Sequence, residues 1–337
     1  MGNLIKVSDL VVKFFEEREI ENIFLLSGGM MMHLLDSVSK SKKISYVCNH
    51  HEQSCSIAAE AYARVNNSIG VCYATSGPGA TNTVTGIAGA WLDSSPVIFL
   101  TGQSRTSLTA RGSGIDNLRM LGNFEVDIAE IVKPITKYSY FLDDAREVLY
   151  HLEKAFYLAT NGRPGPVLLD IPLDIQGSMV DEDELRRFVV PKEKAYTIDL
   201  DFLKCDLENF KQPLIIAGHG IRVAKQVEQF RKLIHELGIP VVTTQLANDL
   251  LPFNDDFYIG KVGLRGDRAG NFAVQSADLI ITLGSSLHVT TTGYEIDSFA
   301  PKAKKIVVVK KANKPAKVIV KKQWEAKIVA DLTYVSI

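Results

Sequence analysis

One carboxylate and one glycine turn are the residues of this chain best placed to do chemistry. Glu52 lies in NHHEQSCSIAAEAYAR (49–64), at the start of an alanine-rich helix. The buried apolar run IGVCYA (69–74) leads directly into TSGPGATN (75–82) and a further helix. A strand that ends in a Gly-rich loop at a helix start is where open α/β sheets bind ligands. Helix N-termini also offer free N–H groups and a favourable dipole. TSGPGATN by itself therefore reads as an anion or cofactor loop, the plainer alternative being a tight turn with no ligand. Glu52 reads equally as a dipole partner of its helix or as a functional acid facing the same crevice.

Periodicity predicts the elements that must position these groups. Residues 7–18 carry apolar side chains at helical spacing. A strand at 23–26 meets Ser27-Gly28-Gly29 and a methionine-rich helix, MMMHLLDSV, whose methionines read as core packing rather than a binding surface. The strand at 44–48 delivers Glu52 to the helix 51–64. The next helix, TVTGIAGAWLD (83–93), contains Gly86 and Gly89. Each glycine costs about 1 kcal/mol relative to alanine, so a second backbone, such as a partner subunit's helix, is expected against it. The strand PVIFLTG (96–102) ends at Gln103, and the polar, Gly-punctuated stretch 104–123 reads as an active-site loop. A helix at 145–159 and the strand VLLDIP (167–172) close the first unit.

A charged, irregular stretch then reads as a linker. Further strands are expected at 213–217, 239–244, 278–284 and 305–309, with Gly218 and Gly220 giving only a weak dinucleotide signal. Apolar strands alternating with amphipathic helices predict two doubly wound α/β domains with mainly parallel sheets. Their expected bounds are 1–178 and 200–337, with a linker at 179–199.

Composition narrows the class. With 337 residues, 46% hydrophobic, 23% charged and a net charge of −1, the chain gives no general reason to bind nucleic acid or an acidic membrane. Ten lysines between Lys302 and Lys327 read as a solvated surface. Cys48, Cys55, Cys72 and Cys205 form no CxxC pair, so neither a disulfide framework nor a metal site is expected. The first residues do not read as a signal peptide, and no apolar run approaches the roughly 20 residues of a membrane span. A cytoplasmic protein is expected.

HHEQSCSIAAEAYAR, YATSGPGATNTVTGIAGAWLDSSPVIFLTGQ, KPITKYS and GRPGPVLLDIPLDIQ resemble the thiamine-diphosphate enzymes of the acetolactate synthase group. The resemblance implies a pyrimidine-binding domain followed by a Rossmann-like central domain. The third domain of such enzymes, which binds Mg²⁺ and diphosphate through a GDG…N motif, has no match in these residues. The resemblance implies decarboxylation or carboligation of a 2-keto acid with thiamine diphosphate and Mg²⁺, in branched-chain amino acid biosynthesis. A 2-hydroxyacyl-CoA or oxalyl-CoA lyase is the alternative enzyme, and a non-catalytic regulatory paralogue the alternative of another class. It also implies at least a homodimer, since the pyrimidine domain of one subunit completes a site with the diphosphate domain of another.

By that resemblance Glu52 is the glutamate that hydrogen-bonds the aminopyrimidine N1′ and favours the imino tautomer, which can take the C2 proton. Leu26, Ser27, Gly28 and Gly29 match a segment near the pyrimidine, with Ser27 where the family usually has proline. Thr75, Pro78 and Asn82 match pyrimidine-side positions, which moves TSGPGATN from phosphate to pyrimidine. Gln103 matches the active-site glutamine and Phe124 a substrate-pocket phenylalanine. NFEVDIAEI (123–131) is one residue short of the family pattern at its pocket glutamine. FAD-binding relatives carry arginine and acids where this chain reads GSSLHVTTTGYE, and acids where it reads VVVKKANKP. Lysine in place of a ribose-binding acid argues against bound FAD.

Overall fold

The apolar runs become strands because both faces of their sheet are covered. The computed structural model describes residues 3–192 and 209–308. They fall into two compact units, Met1–Pro191 and Lys192–Ile337. In the first unit the strands are Leu4–Lys6 (β1), Asn22–Leu25 (β2), Ser45–Cys48 (β3), Gly70–Ala74 (β4), Val97–Gln103 (β5), Tyr138–Phe141 (β6), Val167–Pro172 (β7) and Met179–Asp181 (β8). Six of them form an all-parallel sheet in the order β3-β2-β4-β5-β7-β6. Every residue of β4, β5 and β7 is buried, as a continuous apolar run in a parallel sheet requires.

Helices lie on both faces of this sheet. Val7–Glu16 (α1), Met32–Lys40 (α2) and the helix Val148–Thr160 bring Leu10, Phe14, Leu34 and Leu152 onto Val71, Tyr73, Leu100 and Leu169. Glu52–Asn66 (α3), Pro78–Asn82 (α4) and Val84–Asp93 (α5) lie along the chain that forms the opposite layer. There Cys55, Ala59 and Ile87 meet Cys72, Phe99 and Leu168. Successive strand residues point to opposite faces, which is why neighbours such as Val71 and Cys72 serve different cores.

Several elements differ from the sequence expectation. The glycines of α5 are filled from within the chain. A Cβ on Gly86 would collide with the side chain of Ser56 on α3, and one on Gly89 would lie 3.0 Å from Glu60 Oε2. The close approach at both glycines is therefore that of α3. The three methionines do not share one role: Met31 is fully buried and Met32 is half exposed. Residues from 179 onward, expected as linker, include β8, which pairs antiparallel with β1. Arg187 and the Phe188 N–H bond Glu153. Three-residue strands are too short to show an alternation, and the edge strand β6 is only partly buried, so neither was legible. The stretch 104–123, expected as a loop, carries the short helical turns Thr106–Leu108 and Ala110–Ser113.

The second unit is a five-stranded parallel sheet. Its strands are Pro213–Ala217 (β9), Val241–Thr243 (β10), Tyr258–Lys261 (β11), Leu279–Leu283 (β12) and Lys304–Val308 (β13), in the order β11-β10-β9-β12-β13. Only β11 escaped the sequence. Phe230 and Ile234 of the helix Val227–Leu237 cover one face, and Val274 of Arg268–Ser276 the other. Most of the basic stretch 302–327, Cys205 and the end of VVVKKANKP lie outside the described residues.

Candidate active site

Strand order places the site. From β2 the chain crosses to β3 on one side, and from β3 it returns past β2 to β4 on the other, so the sheet switches direction between β2 and β4. Ligands of open α/β sheets bind outside the carboxyl ends of strands at such a point. Leu26, Ser27, Gly28 and Gly29 follow β2, Glu52 follows β3, and Thr75, Pro78 and Asn82 follow β4.

Of these, Gly28 meets Thr75, and Glu52 meets Asn82. The Met30 N–H donates to Thr75 Oγ1 at 3.3 Å, which joins the two turns across the switch. Gly28 faces the Thr75 side chain so closely that any Cβ there would collide with it. Pro78 occupies the first turn of α4, where its missing N–H costs nothing. Gly77 has φ +60°, and a Cβ on it would run into the Phe124 carbonyl. That contact brings the segment carrying Phe124 to the turn, while the Phe124 side chain is 62% exposed.

Glu52 sits at the first position of α3, after His51, whose Nδ1 accepts from the Gln53 N–H at 3.1 Å. Glu52 is 8% exposed. Asn82 Nδ2 donates to its Oε2 at 2.9 Å. A Cβ built on Gly79 would lie 3.2 Å from Glu52 Oε1 and 2.7 Å from Thr75 Cγ2, so the glycine keeps a space beside that oxygen. Gly29 also has open space where a Cβ would stand. A buried carboxylate steered through one oxygen, with glycine-made room at the other, fits an aminopyrimidine that presents one ring nitrogen. Burial pushes the nearby Cys55 thiol up to about 11 and the Cys72 thiol higher than its ordinary value, so neither is a nucleophile at neutral pH. Among the described residues no group of three His, Cys, Asp or Glu side chains could hold a metal ion.

Gln103 is buried, and its hydrogen bonds go to other groups. Its Nε2 donates to Asp170 Oδ2 and to the Val126 carbonyl, both at 3.0 Å, and its Oε1 accepts from the Ser104 N–H. The amide's two hydrogens are both engaged within the chain. Sequence reasoning missed Asp170 and Glu125. An aspartate inside the otherwise apolar VLLDIP was the available signal for the first. Burial pushes Asp170 up to about 7, against the bonds from Thr101 and Gln103 that favour its charged form. Glu125 accepts from the Ala110 N–H at 2.6 Å and from the Leu121 and Gly122 N–H groups at 3.0 and 3.1 Å. Nothing in the sequence marks that clasp, because its donors are backbone groups. A cavity of about 450 Å³ beside it is lined by Arg111, Asp116, Arg119, Glu125 and Asp127.

In the second unit, Gly218 and Gly220 pack against the backbone of Gly284 between β9 and β12, where a Cβ on either would collide. Their sequence pattern is accounted for by this close packing of two turns.

An open parallel sheet with a carboxylate and a glycine turn at its switch point defines a cofactor-binding α/β protein. Residues 5–120 match the model described as "Thiamine pyrophosphate enzyme, N-terminal TPP binding domain", and residues 205–335 match that of the central domain. The chain belongs to the thiamine pyrophosphate enzyme family. It is 38% identical over 282 residues to the acetolactate synthase large subunit of Lactococcus lactis subsp. lactis, covering 82% of this chain and 48% of that protein. It is 35% identical over 325 residues to that of Corynebacterium glutamicum, covering 95% and 50%. With acetolactate synthase 2, chloroplastic, of Nicotiana tabacum it shares 35% over 306 residues, or 89% and 44%. The chain thus spans about half the length of the curated relatives it matches.

Proposed function

We propose that this chain supplies the pyrimidine-binding and central parts of a thiamine-diphosphate enzyme that decarboxylates and ligates 2-keto acids, as acetolactate synthase does. The observation that carries the reading is Glu52, buried at the switch point, held by Asn82 and left room by Gly79. Thiamine diphosphate, when bound, supplies a nucleophilic carbon and an electron sink for the keto-acid carbonyl. Glu52 would hold a proton at the aminopyrimidine N1′ through Oε1, while Asn82 fixes the plane of the carboxylate. Leu26, Ser27, Gly28, Gly29, Thr75 and Pro78 form the wall beside it. Phe124 stands at the rim, and Gln103, the last residue of β5, acts behind it.

We assign Mg²⁺ and the diphosphate to none of the residues described here. A homodimer or larger homo-oligomer completes the site. Tyr46 and Val47 of β3 and Trp91 and Leu92 of α5 are exposed apolar groups suited to such a contact. The protein works in the cytoplasm, and among the described residues no helix is long and apolar enough to cross a membrane.

The test uses the full-length protein with pyruvate, thiamine diphosphate and Mg²⁺. Formation of acetolactate is expected. Turnover of an acyl-CoA with none of pyruvate would move the protein to the lyase class, and an active monomer by light scattering would defeat the shared site.

A further inference from the structure

We propose that Asp170 is a positioning residue of the site: through Gln103 it holds the Val126 carbonyl, and with it the backbone that sets Phe124 against Gly77. The proposal deepens the function given above and takes from it only the meaning of the site, not the existence of the clasp.

Asp170 is fully buried in β7, between β5 and β6. Its direct neighbours in register are Thr101 on β5 and Phe141 on β6. Strand alternation puts Phe99, Thr101 and Gln103 on one face of β5, the face on which Asp170 follows Leu168. Thr101 Oγ1 donates to Asp170 Oδ1 at 2.7 Å, and Gln103 Nε2 to Oδ2 at 3.0 Å. A carboxylate accepts only, so it selects the NH₂ end of the glutamine amide. That choice sends the amide's second hydrogen to the Val126 carbonyl and its oxygen to the Ser104 N–H. Both ends of the segment 104–126 are therefore fixed by one side chain, which Asp170 orients.

Packing alone gives no reason for an acid here, because a leucine would fill a buried strand position without the desolvation penalty. The charged groups that face Asp170 are Glu125 and Asp127 of the same segment, and both work against its ionisation. Protonation does not undo the clasp. The acid's O–H can then donate to the Thr101 hydroxyl while its other oxygen still accepts from Gln103.

Hydrogen exchange measured by mass spectrometry on the full chain tests this without any assay of activity. Asp170→Asn keeps an acceptor for Gln103 and a donor for Thr101, so exchange over 104–127 should stay close to that of the unaltered chain. Asp170→Leu removes the acceptor and should raise exchange there about tenfold or more, with α1 and α2 on the other face unchanged. Should Asp170→Leu unfold the unit, Gln103→Ala leaves the acid paired with Thr101 and must give the same local loosening. Unchanged exchange over 104–127 in Gln103→Ala would overturn the proposal. So would an Asp170→Asn chain as loose as Asp170→Leu. A protein that turns over no keto acid would refute the proposed function and leave these results standing.

Discussion

Asn82 and Glu52 come from different turns of the sheet and meet through one hydrogen bond of 2.9 Å between Nδ2 and Oε2. The bond fixes which carboxylate oxygen stays available. The proposed sharing of a proton with a ring nitrogen needs that orientation before the ring arrives.

Replacing Glu52 with Gln keeps the shape and removes the acid. In the full-length protein, H/D exchange at thiamine C2 should slow by roughly 10²–10⁴-fold, the usual worth of a general acid–base group, with cofactor affinity changed less. NMR of the exchanging proton measures this, and exchange at the unaltered rate would remove Glu52 from its assigned role.

Gly86 and Gly89 should respond differently to alanine. At Gly86 the new Cβ collides with both the side chain and backbone of Ser56, so overpacking of about 1–3 kcal/mol outweighs the roughly 1 kcal/mol gained in helix propensity. At Gly89 the nearest atom is the movable carboxylate end of Glu60, at 3.0 Å. Gly89→Ala should be neutral or up to about 1 kcal/mol more stable. Urea midpoints of the two variants decide it, and equal midpoints would mean that α3 and α5 are not packed this closely.

Asp170 makes stability depend on pH. Its folded-state pKa is raised from 3.8 to about 7, so between those values the folded chain binds more protons than the unfolded one. Stability then falls as pH rises through that window, and the loss is complete above about pH 7. Asp170→Asn should remove that slope. Urea titrations at pH 5 and pH 8 compare the two chains.

His151 acts with the opposite sign. Burial lowers it from 6.5 to about 4, and its Nδ1 pairs with the Tyr138 hydroxyl at 2.6 Å. The unfolded chain therefore binds more protons between those values, and stability is lost as pH falls from about 6.5 towards 4. His151→Gln should flatten that acid limb, seen as a midpoint that no longer drops over this range.

The sequence by itself determined the α/β class, the buried parallel strands and the residues gathered at the first turns. Those features are local: an apolar run bounded by a glycine turn reads the same wherever the chain places it. Glu52 stood out as an acid at a helix start beside a glycine turn, and Thr75 and Asn82 through the resemblance that their stretch carries. Tertiary structure decided what occupies the other side of each residue. Gly86 looked like a seat for a partner's helix, and Ser56 of α3 fills it. Asp170 looked like one polar residue in an apolar strand, and only the register of β7 against β5 sets it beside Thr101 and Gln103. Glu125 has as partners three backbone N–H groups, which every sequence possesses and none advertises. Contacts between distant segments depend on strand order and register, and those are fixed by burial of the whole sheet rather than by any stretch of it.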